Sequence, residues 1–286
     1  MLNIRGNDIP CNPVVLSYLI LTRKDCHLFI QEAALNSDVR SYLEGLGVVI
    51  HPYDSVYEYA KSLHGETILL EKSHVNYTLC KNLETQNTLV EGMNPASSMK
   101  AVKNPVEMEN IRKAHIKDGV AMTKFIYWLK TNIGKIPMDE LSVSAKLESF
   151  RREQEGFLGP SFDTISAYGP NAAMCHYQPT PEDHAQLKPE GLYLVDSGGQ
   201  YYEGTTDITR TVALGPLTQE EKEHFTVTSM GTLRLGNAKF LHGCIGINLD
   251  YLARAAFWER GLDFNHGTGH GVGYLLNVHE RPNGIR

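Results

Sequence analysis

Two aspartates carry the first chemical signal in this chain, because each is joined to a run typical of a β-strand. Leu192–Val195 is an apolar run that leads straight into Asp196. Asp207 lies near the start of Thr206–Leu214, which is rich in β-branched residues. A polar segment with several glycines separates the two runs and can turn the chain. The sequence therefore predicts a β-hairpin with one aspartate near the end of its first strand and the other near the start of its second strand.

The distance between these carboxylates decides their chemistry. A hairpin centred between Tyr201 and Tyr202 would place Asp196 directly opposite Asp207, with Cβ atoms roughly 4.5–5.5 Å apart. Carboxylates this close repel each other, so one takes up a proton unless a cation lies between them. Hard divalent ions such as Mn²⁺ prefer these oxygen donors. The alternative is that each aspartate caps a strand end or sits in a turn.

A histidine segment rich in glycine is the second signal. His266 and His270 lie in the run Asn-His-Gly-Thr-Gly-His-Gly-Val-Gly, whose glycines disfavour a helix and allow close approach to a ligand. His279 follows after an apolar stretch, and His176 precedes a proline-containing loop. The other histidines have no Asp, Cys or His at a useful spacing, and we interpret them as structural. They are His27, His51, His64, His74, His115, His184, His224 and His242.

Other chemistries fit the sequence poorly. The glycine run around His270 is not a dinucleotide fingerprint, because no helix pattern follows it. A thiol nucleophile at Cys175, beside His176, is disfavoured because adjacent residues in a strand point to opposite faces.

The composition favours a globular protein without a nucleic-acid or membrane partner. The chain has 286 residues, a formal net charge of −6 and a pI near 6.1. This acidic balance disfavours nucleic acid and anionic membranes, and no apolar run is long enough to cross a bilayer. The five scattered cysteines suit a reducing compartment. We therefore expect a cytoplasmic protein.

The pattern of elements predicts two domains. Residues 1–100 are predicted to form a small α/β domain, with strand-like runs such as His27–Ile30 and Thr67–Leu70. Residues 101–286 are predicted to form the second domain. It would begin with a helix capped by Asn104, with Pro105 at the first position and Glu107 completing a capping box. Further helices are predicted at Pro137–Gln154, from Thr218 towards Phe240, and at Asn248–Arg260, with strands at Thr164–Tyr168, Gly191–Ser197 and Thr206–Leu214.

Several motifs together resemble one family. They are His176-Tyr-Gln-Pro, the segment from Asp196 to Thr211, and His266-Gly-Thr-Gly-His270-Gly-Val-Gly with the later Asn277-Val-His279-Glu. They closely resemble the Xaa-Pro aminopeptidases, which belong to the pita-bread metallopeptidases. The resemblance implies an α/β (α+β) fold, in which a partial creatinase-N-like domain precedes a pita-bread catalytic domain that is incomplete at its C-terminus.

The resemblance also implies the site. Asp196, Asp207 and His270 would hold two divalent metal ions, usually Mn²⁺, with Zn²⁺ or Co²⁺ as alternatives. His176 and His279 would be catalytic residues that face the substrate and steady the tetrahedral intermediate. The last implied residue is His266, which would line the substrate pocket.

The implied reaction releases the first residue of peptides that have proline in second position. Family members often form dimers, so a homodimer is expected as well. Two alternatives remain open: a prolidase-like dipeptidase, and a non-catalytic pita-bread module that binds peptide or protein. The family has two further glutamate ligands beyond the His279 position, whereas the chain stops at Arg286 and Glu280 matches neither. We therefore expect a fragment with weak or no activity.

Overall fold

The structure is a computed structural model that describes residues 1–285. The chain forms two compact units, Met1–Val102 and Lys103–Arg286. Both mix helices and strands, which confirms the mixed α/β class. Within the described part of the chain, no helix is long and apolar enough to cross a membrane.

The first unit has a three-stranded sheet and a separate pair of parallel strands. In the sheet, the central strand β2 is antiparallel to β1 and parallel to β3. Its residues Leu28, Phe29 and Ile30 are all buried, as expected of a strand covered on both faces. The elements are β1 (Ser17–Leu21), β2 (Cys26–Ile30), α1 (Ser37–Gly45), β3 (Val48–Pro52), α2 (Val56–Ser62), β4 (Thr67–Leu70), α3 (Tyr77–Glu84), β5 (Thr88–Glu91) and α4 (Pro95–Ala101).

The expectation that His27 and His51 have no histidine partner is wrong. They lie on the neighbouring strands β2 and β3, and His27 Nδ1 is 3.0 Å from His51 Nε2. The two histidines are partners that their spacing along the chain did not indicate.

The second unit begins with two long helices and continues as short sheets. β8 lies between β7 and β11, β9 lies between β6 and β10, and β12 pairs with β13. The elements are α5 (Pro105–Asn132), α6 (Glu140–Arg152), β6 (Phe157–Pro160), β7 (Ile165–Tyr168), β8 (Leu192–Ser197), β9 (Gly199–Tyr201), β10 (Gly204–Thr205), β11 (Ile208–Ala213), α7 (Gln219–Gly236), α8 (Gly246–Trp258), β12 (Gly269–Gly271) and β13 (Glu280–Ile285).

The core of this unit packs the two long helices against one face of β8. Phe125 of α5 and Leu147 of α6 are fully buried beside Tyr193 and Val195 of β8. Because side chains alternate along a strand, Asp196 points to the opposite face from Tyr193 and Val195. Packing in the core therefore holds β8 in place, while the side chain of Asp196 lies outside the apolar core.

The predicted capping box at the start of α5 is confirmed. Asn104 Oδ1 accepts from the backbone N–H of Glu107 at 2.9 Å, and Glu107 Oε2 accepts from the Asn104 N–H at 2.8 Å. These bonds satisfy helix N–H groups that have no partner within the helix.

We expect Asn104→Ala to lower the free energy of unfolding of this unit by about 1 kcal/mol, because the first turn loses its cap. Urea unfolding followed by tryptophan fluorescence measures the change. Asn104→Ser keeps a capping oxygen and is the matched control. Equal stability of the alanine and serine variants would contradict the role of the cap.

Candidate metal centre

The register between β8 and β11 differs from the prediction. Asp196 pairs with Thr209, so the expectation that Asp196 and Asp207 lie directly opposite each other is wrong. Thr209 Oγ1 donates to Asp196 Oδ1 at 2.6 Å. Asp207 instead lies just before β11, two positions closer to the turn.

An additional hairpin explains this difference. Between β8 and β11, Tyr201 of β9 pairs with Gly204 of β10, and only Tyr202 and Glu203 form the turn. The centre therefore lies between Tyr202 and Glu203 rather than between Tyr201 and Tyr202. Gly204 has a φ of +141°, which a glycine adopts without steric strain.

The predicted metal residues nevertheless come together. Asp196 is the penultimate residue of β8, Asp207 precedes β11 and His270 lies in β12. His270 Nε2 is 3.2 Å from Asp207 Oδ2, and the side chains of both are partly buried. Burial raises the pKa of Asp196, and the charge of Asp207 raises it further. The acids therefore interact although they are not directly opposite.

One of the predicted substrate histidines, His279, lies beside this group. The ring centroids of His270 and His279 are 4.3 Å apart. Burial lowers the pKa of His279, and the charges of His270 and His176 lower it further. The hydrogen bond with Asp207 raises the pKa of His270. His279 therefore has a lower pKa than the neighbouring imidazole of His270.

His266 is placed differently from the other histidines. Its ring packs on Phe264 with centroids 4.8 Å apart, and its Nδ1 is 2.8 Å from the carbonyl oxygen of Gly267. Both His266 and His176 are exposed. The structure thus associates His270, His279, Asp196 and Asp207 most closely.

The donor chemistry suits a divalent ion. Two carboxylates and an imidazole are ligands for Mn²⁺, Zn²⁺ or Co²⁺, and a cation relieves the repulsion between Asp196 and Asp207. Within residues 1–285, no group of three or more His, Cys, Asp or Glu side chains is already arranged to hold a metal. His270 Nε2 faces Asp207, so metal binding would exchange that contact for the ion.

Glu140 is a residue that the sequence analysis missed. It is fully buried at the start of α6, and its carboxylate accepts from Tyr177 Oη at 2.7 Å and from the backbone N–H groups of Tyr168 and Ala185 at 2.6 and 2.7 Å. Burial, together with Glu140, raises the pKa of Tyr177 to about 12, so this phenol remains a donor. Glu140 therefore anchors residues 168–185, the segment that carries His176.

We expect Glu140→Gln to loosen residues 168–185, because the new amide NH₂ would face N–H and O–H donors. Unsatisfied buried groups cost about 1–3 kcal/mol. Hydrogen–deuterium exchange should accelerate across this segment. Glu148→Gln, on the exposed side of the same helix, is the control. Identical exchange in the two variants would show that Glu140 does not hold the segment.

Lys103 and Glu280 form a second contact that the sequence did not indicate. Lys103 Nζ pairs with Glu280 Oε2, and Glu280 is only 4% exposed. Glu280 directly follows His279, so the pair fixes the start of β13 beside the candidate site.

Comparison with known proteins identifies two matching regions. Residues 109–286 match metallopeptidase family M24, and residues 1–107 match the creatinase/prolidase N-terminal domain. The chain is 42% identical to a probable Xaa-Pro aminopeptidase P of Paracoccidioides brasiliensis (strain Pb03), covering 100% of this chain and 48% of the relative. It thus spans about half the length of the curated relatives it matches.

Solved structures give the same picture. An X-prolyl aminopeptidase from Caenorhabditis elegans, described as a cytosolic enzyme with a di-nuclear active site, superimposes with a TM-score of 0.93 at 36% identity. The match covers 99% of this chain and 48% of that chain. A prolidase from Pyrococcus horikoshii OT3 matches with a TM-score of 0.70 at 25% identity, covering 93% and 74%. The expected pita-bread fold is confirmed.

Proposed function

The chain belongs to metallopeptidase family M24, and we propose that it is an aminopeptidase that releases the first residue of peptides with proline in second position. The curated relatives named Xaa-Pro aminopeptidase P support this choice of reaction, since they match the whole chain. The chain spans about half the length of these curated relatives, so their whole reaction is a proposal for this chain.

One observation carries the proposal: Asp196, Asp207 and His270 meet although they come from three separate parts of the chain, β8, the residue before β11, and β12. His270 Nε2 lies 3.2 Å from Asp207 Oδ2, and burial, with a smaller contribution from the charge of Asp207, raises the pKa of Asp196. We propose these three as ligands of two divalent ions, most simply Mn²⁺. Bound at this site, such ions would supply a Lewis acid and a water of lowered pKa.

The nearby histidines are proposed to hold the substrate. His279 has a lowered pKa and is therefore neutral at pH 7, with one ring N–H to donate. Such a donor can steady the oxygen of the scissile carbonyl as negative charge develops on it. We propose the same task for His176 and a position beside the substrate for His266.

The proline preference rests on the named relatives. An Xaa-Pro bond has no N–H, so an enzyme that acts on it must hold the substrate through other groups. Carbonyl-binding donors such as His176 and His279 meet this requirement.

Release of the first residue from an Xaa-Pro-Xaa tripeptide tests the reaction, with Xaa-Ala-Xaa as the matched control. We expect Mn²⁺-dependent release from the proline peptide. We expect turnover to be weak in the 286-residue chain, because three protein ligands coordinate two ions poorly. Release from the proline peptide no faster than that by the Asp207→Asn variant would contradict the proposal.

The match to a prolidase favours one second candidate, a dipeptidase. Cleavage of an Xaa-Pro dipeptide without cleavage of the tripeptide would select it. Tight binding of an uncleaved tripeptide would instead select a non-catalytic module.

We also propose a cytosolic homodimer. The C. elegans relative is described as cytosolic, and the dimer is the expectation from the family resemblance. Light scattering on the purified chain measures its mass, and a monomer at micromolar concentration would contradict the dimer.

A further inference from the structure

A buried ion pair lies beneath the candidate metal centre. Arg151 Nε donates to Asp118 Oδ1 at 2.6 Å, and Arg151 Nη2 donates to Asp118 Oδ2 at 3.2 Å. Asp118 lies in α5 and is 0% exposed, whereas Arg151 lies in the last turn of α6 and is 2% exposed. Burying two charges is expensive unless every donor and acceptor is satisfied.

The carboxylate of Asp118 receives two further bonds. Tyr201 Oη donates to Oδ1 at 2.9 Å, and Thr206 Oγ1 donates to Oδ2 at 2.8 Å. Burial and the charge of Asp118 raise the pKa of Tyr201, so it remains protonated and able to donate. With the two bonds from Arg151, all four acceptor positions of Asp118 are used.

The partners of this pair are the chain neighbours of the two candidate ligands. Arg151 Nη2 also donates to Ser197 Oγ at 3.0 Å, and Ser197 directly follows Asp196. Thr206, which bonds to Asp118, directly precedes Asp207. A single ion pair thus contacts both chain segments that carry the acids.

The surrounding backbone leaves these segments little freedom. Thr206 Oγ1 accepts from the Gly199 N–H at 2.9 Å, and Ser161 Oγ donates to the Thr206 carbonyl at 2.8 Å. A Cβ atom on Gly198 would lie 1.9 Å from that carbonyl oxygen, so only glycine fits there. Thr206 is therefore fixed on both sides by buried polar groups.

We propose that the Asp118–Arg151 pair is a positioning device for the metal centre, acting through Ser197 and Thr206 on the backbone of Asp196 and Asp207. The inference rests on the proposed function, since it requires that the two acids bind metal. Its physical reason is that the acids repel each other, and only a rigid support holds both near one point before an ion arrives. Neither Asp118 nor Arg151 is one of the proposed metal ligands or substrate-facing residues.

Thr206→Val tests this positioning role with little change in the shape of the side chain, because valine replaces one hydroxyl by a methyl group. We expect the affinity of the chain for Mn²⁺, measured by electron paramagnetic resonance of the free ion, to fall about 10–100-fold. Ser197→Ala should lower the affinity in the same direction. Thr206→Ser keeps the hydroxyl and should restore the affinity.

Ser166→Ala separates positioning from stability. Ser166 Oγ is as buried as Thr206 and lies in β7, where it bonds to the Glu140 carbonyl and to Tyr193 Oη, both at 2.7 Å. We expect this variant to lose thermal stability as Thr206→Val does, yet to keep the Mn²⁺ affinity of the parent chain.

The outcomes distinguish this inference from the proposed function. Unchanged Mn²⁺ affinity in Thr206→Val, with normal binding by the parent chain, would overturn the inference alone. Equal losses of affinity in Thr206→Val and Ser166→Ala would also overturn it, because the effect would then be one of stability. A parent chain that binds no Mn²⁺ would overturn the metal centre and this inference together.

Discussion

Replacing Asp207 with asparagine is expected to lower the affinity of the chain for Mn²⁺ by more than about 100-fold, since loss of a partner outside the ligand shell already costs about 10–100-fold. Asp207 contacts His270 and interacts with Asp196, so it is the central member of the group. Asparagine keeps the shape of the side chain and removes the negative charge that attracts the ion.

The control for this change is Asp183→Asn, which removes the same charge from an exposed position of the same unit. Calorimetric titration with Mn²⁺ measures both variants, and circular dichroism verifies that both are folded. Equal affinity in the two variants would remove Asp207 from the ligand set. Loss of binding in Asp183→Asn as well would indicate a nonspecific effect of charge.

The second large effect concerns stability. Arg151→Met is expected to lower the free energy of unfolding by about 3–5 kcal/mol, because it leaves Asp118 as an uncompensated buried charge. Both tryptophans, Trp128 and Trp258, lie in the second unit, so their fluorescence during urea unfolding reports on this unit.

Two variants sharpen this test. Arg152→Met breaks the exposed pair with Glu148 on the same helix, and such surface pairs contribute about 0–1 kcal/mol. The double change Asp118→Leu with Arg151→Met removes both charges and should recover much of the loss. A loss in Arg151→Met no larger than that in Arg152→Met would contradict the assigned burial of the ion pair.

Local signals in the sequence predicted much of the second unit. The predicted capping box at Asn104 is present, and the helix predicted to begin at Thr218 opens with a capping box between Thr218 and Glu221, since such signals depend only on residues three positions apart. The strand that leads into Asp196 is also present, because an apolar run between turn signals is typical of a buried strand.

The register of the hairpin was harder to predict. A loop containing several glycines can turn at more than one place, and the pair β9 and β10 moved the centre to Tyr202 and Glu203. The sequence indicated which residues could act as ligands, but it did not indicate the register of the hairpin that positions them. The roles of Asp196, Asp207 and His270 as ligands stay predictions.

Contacts between residues that are far apart along the chain were not predicted from the sequence. Arg151 pairs with Asp118, and Glu140 binds the segment of His176, across long stretches of chain. Charged residues on helices are usually solvated, so nothing in the periodicity of α5 or α6 identified these as buried. Packing of α5 against β10 and of α6 against β6 and β7 brings them into the interior.

A crystal structure of the chain grown with Mn²⁺ tests the central claim most directly, since anomalous scattering locates the ions independently of their environment. We expect anomalous peaks within bonding distance of Asp196, Asp207 and His270, with His270 turned from Asp207 towards the metal. Peaks confined to other side chains, or an unchanged contact between His270 and Asp207 at saturating Mn²⁺, would contradict the claim that these strands build a metal centre.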